Sequence, residues 1–163
     1  MCTRLSVFKK VAIAGDHGGF ELKELLKEYI LKYGVDVIDL GTDGCASVDY
    51  PDFGARAGIA VADGEADGAI VICGSGIGIS IAANKIPGVR AALCWDTFTA
   101  EMSRKHNDSN VLALGGRVTT FDRAVGMVDL WLTTPFDGGR HQARIDKLDK
   151  LAADRWRKYL DGK

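Results

Sequence analysis

Short apolar runs alternate with helical repeats along the 163-residue chain. Residues 11–14 form a compact apolar run that reads as a first strand, followed by Gly15-Asp16-His17-Gly18-Gly19. Leu22, Leu25, Leu26, Tyr29, Ile30 and Tyr33 then recur with a helical period, and Gly34 stops that helix as a C′ glycine does. Residues 36–40 read as a second strand. A loop over 41–52 carries Asp49-Tyr50-Pro51, and a helix over 53–62 is weakened by Gly54 and Gly58. Residues 69–73, Ala-Ile-Val-Ile-Cys, are the most strand-like run in the chain. They meet Gly74-Ser75-Gly76-Ile77-Gly78, a short helix over 79–85 and the stop signal Pro87-Gly88. A fourth strand is predicted over 89–94, a helix over 97–106 and a fifth strand over 111–114. Phe121, Val125, Val128 and Leu132 mark the next helix. A last one, over 140–160, follows Pro135 and Gly138-Gly139 and carries Ile145, Leu148, Leu151, Ala152, Trp156 and Tyr159 on its repeat.

Five short strands separated by helices predict one α/β domain over 1–163. Its architecture is a Rossmann-like three-layer sandwich, a five-stranded parallel sheet with helices on both faces. Residues 1–9 stand ahead of it as an N-terminal extension. Neither an internal repeat nor an interdomain linker interrupts the pattern.

Composition narrows the function classes. With 21 Lys+Arg against 22 Asp+Glu the net charge is -1, which argues against nucleic-acid and membrane-surface binding. Apolar runs fall short of a membrane span, and the start lacks the apolar stretch of a secretory signal. A cytoplasmic location is the expectation, with Cys2, Cys45, Cys73 and Cys94 reduced and none at metal-site spacing. Glycine is the excess residue, 20 of 163 against an average of about 7%.

In such a sheet ligands bind beyond the carboxyl ends of the strands. Three glycine-rich segments fall there: 15–19, 73–78 and Gly115-Gly116-Arg117. The middle one offers backbone amides and a helix start to an anion, a phosphate, carboxylate or enediolate. It is no dinucleotide fingerprint, because the third glycine would fall at Ile79, and no Gly-Lys-Ser/Thr makes a phosphate loop of the nucleotide type. Cys73 stands where strand meets helix, a placement that makes a thiol available as nucleophile or base and equally suits a buried small hydrophobe. Ser75 adds a hydroxyl to the cradle. Arg140 and Arg144 share a helix face and match a phosphate by their planar donors, though a solvated surface pair would look the same. Arg117 is a third donor at a strand end. His106-Asn107-Asp108 closes a helix, and Asp16-His17 follows the first strand, where a turn pair capping the next helix is the plainer reading. His141, between the two arginines, is the least informative histidine.

Taken together these segments resemble the type B ribose-5-phosphate isomerases, of the sugar-phosphate isomerase family that also holds galactose-6-phosphate isomerase subunits. The resemblance is carried in order by Gly15-Asp-His-Gly-Gly-Phe20, Asp49-Tyr-Pro-Asp-Phe53, the stretch from Ile72 to Lys85, Ser103-Arg-Lys-His-Asn-Asp108 and Gly138-Gly-Arg-His-Gln-Ala-Arg144. It implies a cofactor-free and metal-free interconversion of D-ribose 5-phosphate and D-ribulose 5-phosphate. By that resemblance Cys73 is the base of a cis-enediolate mechanism, and Ser75 with the backbone of Gly74, Gly76, Ile77 and Gly78 holds the oxyanion. His106 opens the furanose ring with Asp16 as its partner on the sugar, and Asn107 holds substrate oxygens. Arg117, Arg140, Arg144 and His17 bind phosphate, and Tyr50 walls the site. Family members that lack the cysteine place a glutamate where this chain has Ile79. The alternatives are a galactose-6-phosphate or allose-6-phosphate isomerase, or a noncatalytic nucleotide- or sugar-phosphate-binding module.

Topology adds a further expectation. Asp16 and Cys73 follow strands, whereas His106 ends a helix that precedes one, which puts it at the opposite sheet edge. A homodimer with composite active sites is therefore predicted, with a higher oligomer also compatible.

Overall fold

Strand β3 (Gly68–Cys73) is buried at every residue, as a Val/Ile-rich strand covered on both faces must be. A computed structural model describes residues 5–161. Cys2 lies outside the described residues, as do the side chains of Ala152, Trp156 and Tyr159. Around β3 run β1 (Lys10–Gly15), α1 (Phe20–Ile30), β2 (Asp36–Asp39), α2 (Tyr50–Ala62), α3 (Ile77–Ala83), β4 (Ala91–Leu93), α4 (Thr97–Asn107), β5 (Val111–Gly115), α5 (Phe121–Thr133) and α6 (Arg140–Asp161). The five strands form one all-parallel sheet in the order β2-β1-β3-β5-β4. The chain leaves β1 toward one edge and β3 toward the other. The switch point, and the crevice that comes with it, lies beyond the carboxyl ends of β1 and β3.

The two faces of the sheet differ in grain. Val11, Ile13, Ile70, Ile72, Leu112 and Leu114 point to one side, against Leu22, Leu26 and Ile30 of α1 and Met127, Val128, Trp131 and Leu132 of α5. Ala12, Ala14, Ala69, Val71, Cys73 and Ala113 point to the other, against Phe53, Ala57 and Ala60 of α2 and Ile79 and Ala83 of α3. Small sheet residues let α2 and α3 come close, and the helix glycines continue the theme. A Cβ on Gly54 would stand 2.8 Å from the Ile79 carbonyl oxygen, and one on Gly58 would stand 2.9 Å from Ile86 Cγ1. These glycines lower helix propensity, but in the fold they form the seam between α2 and α3.

Several boundaries depart from the pattern reading: α3 runs over Ile77–Ala83 rather than 79–85, because Gly76 already makes the left-handed turn that starts it. α2 starts at Tyr50 rather than 53, with Pro51 in its first turn, where a missing N–H costs nothing. β4 is three residues rather than six, an edge strand whose free side and preceding turn are bonded by side chains. Asn84 bonds both the N–H and the carbonyl of Ala91 (2.8 and 2.9 Å), and Asn110 bonds Arg90 N and Gly88 O (2.8 and 2.9 Å). The extension is partly structural as well: Phe8 is buried and stacks on Trp131 at 4.4 Å, and Val7 N donates to Leu132 O at 2.7 Å.

Candidate active site

The three glycine-rich loops converge at the carboxyl edge of the sheet. Asp16 N donates to Ile72 O (3.1 Å), Gly116 N to Cys73 O (2.8 Å) and Arg117 N to Gly74 O (3.0 Å), so strand-like pairing continues into the loops. Their backbones touch. A Cβ on Gly19 would stand 2.3 Å from Ile72 O, and one on Gly116 would stand 2.5 Å from Gly18 O. No side chain fits at either place. Asp16 is buried, and its Oδ1 accepts from Gly18 N (2.8 Å) and Gly19 N (3.1 Å), which closes the turn, whereas α1 itself starts after Gly19 without the side-chain cap expected from sequence. His17 Nδ1 takes the Val48 amide at 3.2 Å, which ties the loop before α2 to the loop after β1.

Cys73 is buried at the end of β3, and its sulfur accepts the Gly76 amide at 3.2 Å. Gly76 makes the turn into α3 with φ 79°, a left-handed conformation that suits glycine. Ser75 is exposed, and its Oγ accepts from Ile77 N at 3.3 Å, which leaves the hydroxyl proton free to donate outward. The Tyr50 ring lies flat against Gly78, where a Cβ would be 2.6 Å from two of its ring carbons. Arg117 is exposed above Gly74, with its side chain 3.4 to 3.5 Å from a Cβ there. The Cys73 thiol, the loop amides, the Tyr50 ring and the Arg117 cation thus share one small region. Beside it a cavity of about 240 Å³ is lined by Ser75, Ile77, Leu93, Trp95, Val118 and Arg123. Its floor was not legible in the sequence, because Leu93, Trp95 and Val118 read only as strand-end and loop hydrophobes.

The remaining candidates stand elsewhere. β3 and β5 pair from Ala69↔Val111 to Cys73↔Gly115, about 13 Å of strand at about 3.3 Å per residue. His106 and Asn107 precede Val111, and so lie at the amino edge of the same sheet. Asp137 N donates to Lys105 O (3.1 Å), which docks the start of α6 there, and the His106 and His141 rings stack 4.2 Å apart at 7°. Arg140 and Arg144 flank that stack from α6 and are exposed. Burial, His106 and the two arginines push His141 below its ordinary 6.5, against a smaller raising effect of Asp137. Ligand atoms of His106, Asp137 and His141 come within 4.8 Å of one another. Parallel ring planes at this spacing do not converge on one point about 2.0–2.1 Å from both nitrogens, so the cluster is not a preformed metal centre. One chain therefore gathers Asp16, His17, Tyr50, Cys73, Ser75, Gly74, Gly76, Ile77, Gly78 and Arg117 at one edge, and His106, Asn107, Arg140 and Arg144 at the other.

A buried thiol in a glycine-built anion cradle at the switch point of a parallel α/β sheet is the equipment of an enzyme acting on a small anionic substrate. Comparison with known proteins gives the family. The ribose/galactose isomerase profile matches residues 11–148. Ribose-5-phosphate isomerase B of Escherichia coli (strain K12) is 47% identical over 143 residues, covering 88% of this chain and 96% of that protein. Among solved structures, ribose-5-phosphate isomerase B of Clostridium thermocellum is 52% identical with a TM-score of 0.88, covering 90% of this chain and 99% of that one. Ribose-5-phosphate isomerase B of Mycoplasma genitalium, solved with bound ribulose-5-phosphate, is 40% identical with a TM-score of 0.84, covering 88% of this chain and 96% of that one. The chain belongs to the ribose/galactose isomerase family, among its type B ribose-5-phosphate isomerases.

Proposed function

We propose that the chain interconverts D-ribose 5-phosphate and D-ribulose 5-phosphate through a cis-enediolate, at a site that two copies complete. The observation that carries this reading is the Cys73 sulfur, seated under the Gly76 amide beside Ser75. Cys73 removes the C2 proton of the open-chain aldose. The C2–H electron pair becomes the C1=C2 bond of the enediolate, and the carbonyl pair moves onto O1. Ser75 and the amides from Gly74 to Gly78 hold that charge. The O2 hydroxyl proton passes to O1, Cys73 returns its proton to C1, and O2 becomes the ketose carbonyl. Five-carbon chemistry is supported by ribulose-5-phosphate in the M. genitalium relative.

His106 serves the earlier step, furanose opening, with Asp16 on the sugar and Asn107 on its oxygens. Arg117 and His17 from one copy, with Arg140 and Arg144 from the other, hold the phosphate, and this remote binding orients C1 and C2. An exposed apolar rim around the Cys73 loop suits a partner surface. Ile77 is 54% exposed, Trp95 62%, Phe98 66% and Val118 67%.

Subunit mixing tests both parts. Cys73→Ala and His106→Asn each keep only a small residual turnover as pure species, and re-equilibration of the two together returns about a quarter of wild-type activity, since half the dimers then hold one intact site. Activity from the mixture no higher than the sum of the two parents would refute the composite site. Absence of any ribose 5-phosphate turnover by the wild type would remove the enzyme reading altogether.

A further inference from the structure

The turn behind His106 and Asn107 is held by two arginines on a single carboxylate. Asp108 follows α4 at φ 43° and ψ 47°, and among the described residues it is the one non-glycine with positive φ. Aspartate tolerates this left-handed conformation better than most side chains, at some cost. The cost is met by a clamp. Asp108 Oδ1 accepts from Arg104 Nη1 at 2.9 Å, and Oδ2 accepts from Arg90 Nη2 at 3.1 Å. Arg90, just ahead of β4, also donates through Nε to the carbonyls of Asn107 (3.0 Å) and Asp108 (3.1 Å), and through Nη2 to the latter (3.0 Å).

Carbonyls at a helix end have no partner within the helix. Here one planar guanidinium takes those of Asn107 and Asp108 and the neighbouring carboxylate together. Lysine, with a single point charge, does not reproduce that fork. Arg104 anchors the other side: it is buried, donates to Ser109 O (2.6 Å) and Thr134 O (3.3 Å), and lies 4.8 Å over the Phe8 ring. Elements from three parts of the chain thereby fix where α4 ends and how His106 and Asn107 leave it.

We infer that Arg90 and Asp108 are positioning residues for furanose opening, acting through His106 and Asn107. The inference rests on the ring-opening role proposed above for His106. Arg104 is too deeply packed for a clean variant, so the test uses Asp108→Asn, which keeps tolerance for the left-handed turn without the ion pairs, and Arg90→Lys. Each is assayed on ribose 5-phosphate and on its C2-deuterated form, with wild type and His106→Asn alongside and circular-dichroism melts to establish folding. The C2–H bond breaks only after the ring opens. Slowed opening therefore lowers turnover and shrinks the isotope effect toward 1, whereas a loss of folded protein leaves the isotope effect at its wild-type value.

The expected result is a tenfold to hundredfold fall in turnover, about the cost of a misplaced catalytic group, with an isotope effect reduced toward that of His106→Asn. Unchanged turnover, or a fall with the wild-type isotope effect, would overturn the positioning role. If His106→Asn itself leaves turnover and isotope effect at wild-type values, the ring-opening role fails, and the positioning role fails with it. That result is distinct from one in which His106→Asn behaves as expected and the clamp variants do not.

Discussion

The two edges of this sheet present polar groups of different kinds, and under the proposed function both face one anionic substrate. At the carboxyl edge the donors are backbone amides, and glycines are placed where a Cβ would stand as little as 2.3 Å from a neighbouring backbone. At the amino edge the candidates are side chains on helix ends, His106, Asn107, Arg140 and Arg144, and a charged clamp on Asp108 holds the turn after the first two. Backbone donors are pre-set by the fold and lose little freedom on binding. Long cationic side chains reach further but must be held. A proton transfer at carbon needs the first kind of precision, and capture of a mobile phosphate tolerates the second.

The sharpest way to break this comparison is at the thiol. Cys73→Ala is expected to lower isomerisation by about 10³-fold, in the range of a lost acid–base group, with the circular-dichroism spectrum and phosphate affinity retained. A comparable loss of phosphate affinity would mean that the thiol itself contributes to binding rather than to proton transfer alone. Next in size are the arginines. Arg140→Ala or Arg144→Ala is expected to raise KM by about tenfold or more, the worth of one charge-assisted contact, with a smaller change in kcat. A fall confined to kcat would count against a binding role.

A smaller effect separates backbone from side-chain construction. Gly116→Ala places a Cβ 2.5 Å from Gly18 O, so a loss of about 1–3 kcal/mol is expected from overpacking, read as several degrees of melting temperature. Unchanged stability would show that these loops can yield. The last prediction concerns pH. Folding holds His141 below its ordinary 6.5, so the unfolded chain binds the proton more readily and stability falls as pH drops through 6.5 toward the folded value. Melting curves across that range are expected to slope less in His141→Asn, and an unaltered slope would assign the effect to other groups.

Period and punctuation made most of this fold legible. The apolar runs located all five strands, and the chain order of strands and helices put Cys73 and His106 at opposite edges before any geometry was available. What escaped reading was long-range. Gly54 and Gly58 look like helix weaknesses until Ile79 and Ile86 are seen against them. Nothing local reveals that Asn84 bonds the free edge of β4 or that Asn110 holds the turn before it. His141 carried no signal, since its meaning comes from a ring 35 positions earlier. Arg90 and Asp108 were invisible for the same reason: a clamp is a relation between segments, and a single segment shows only a charge.

The glycine seam between α2 and α3 has a consequence for how the site can adapt. Tyr50 opens α2, and Ile77 and Gly78 open α3. With Gly54 and Gly58 packing the helices closely, Tyr50 and the Ile77-Gly78 turn, wall and cradle in the proposed function, are placed as one unit. A substrate one carbon longer cannot be admitted by sliding one helix past the other. Room for it must come from trimming side chains, which makes substrate length a property of individual residues and leaves the thiol's alignment undisturbed when that property changes.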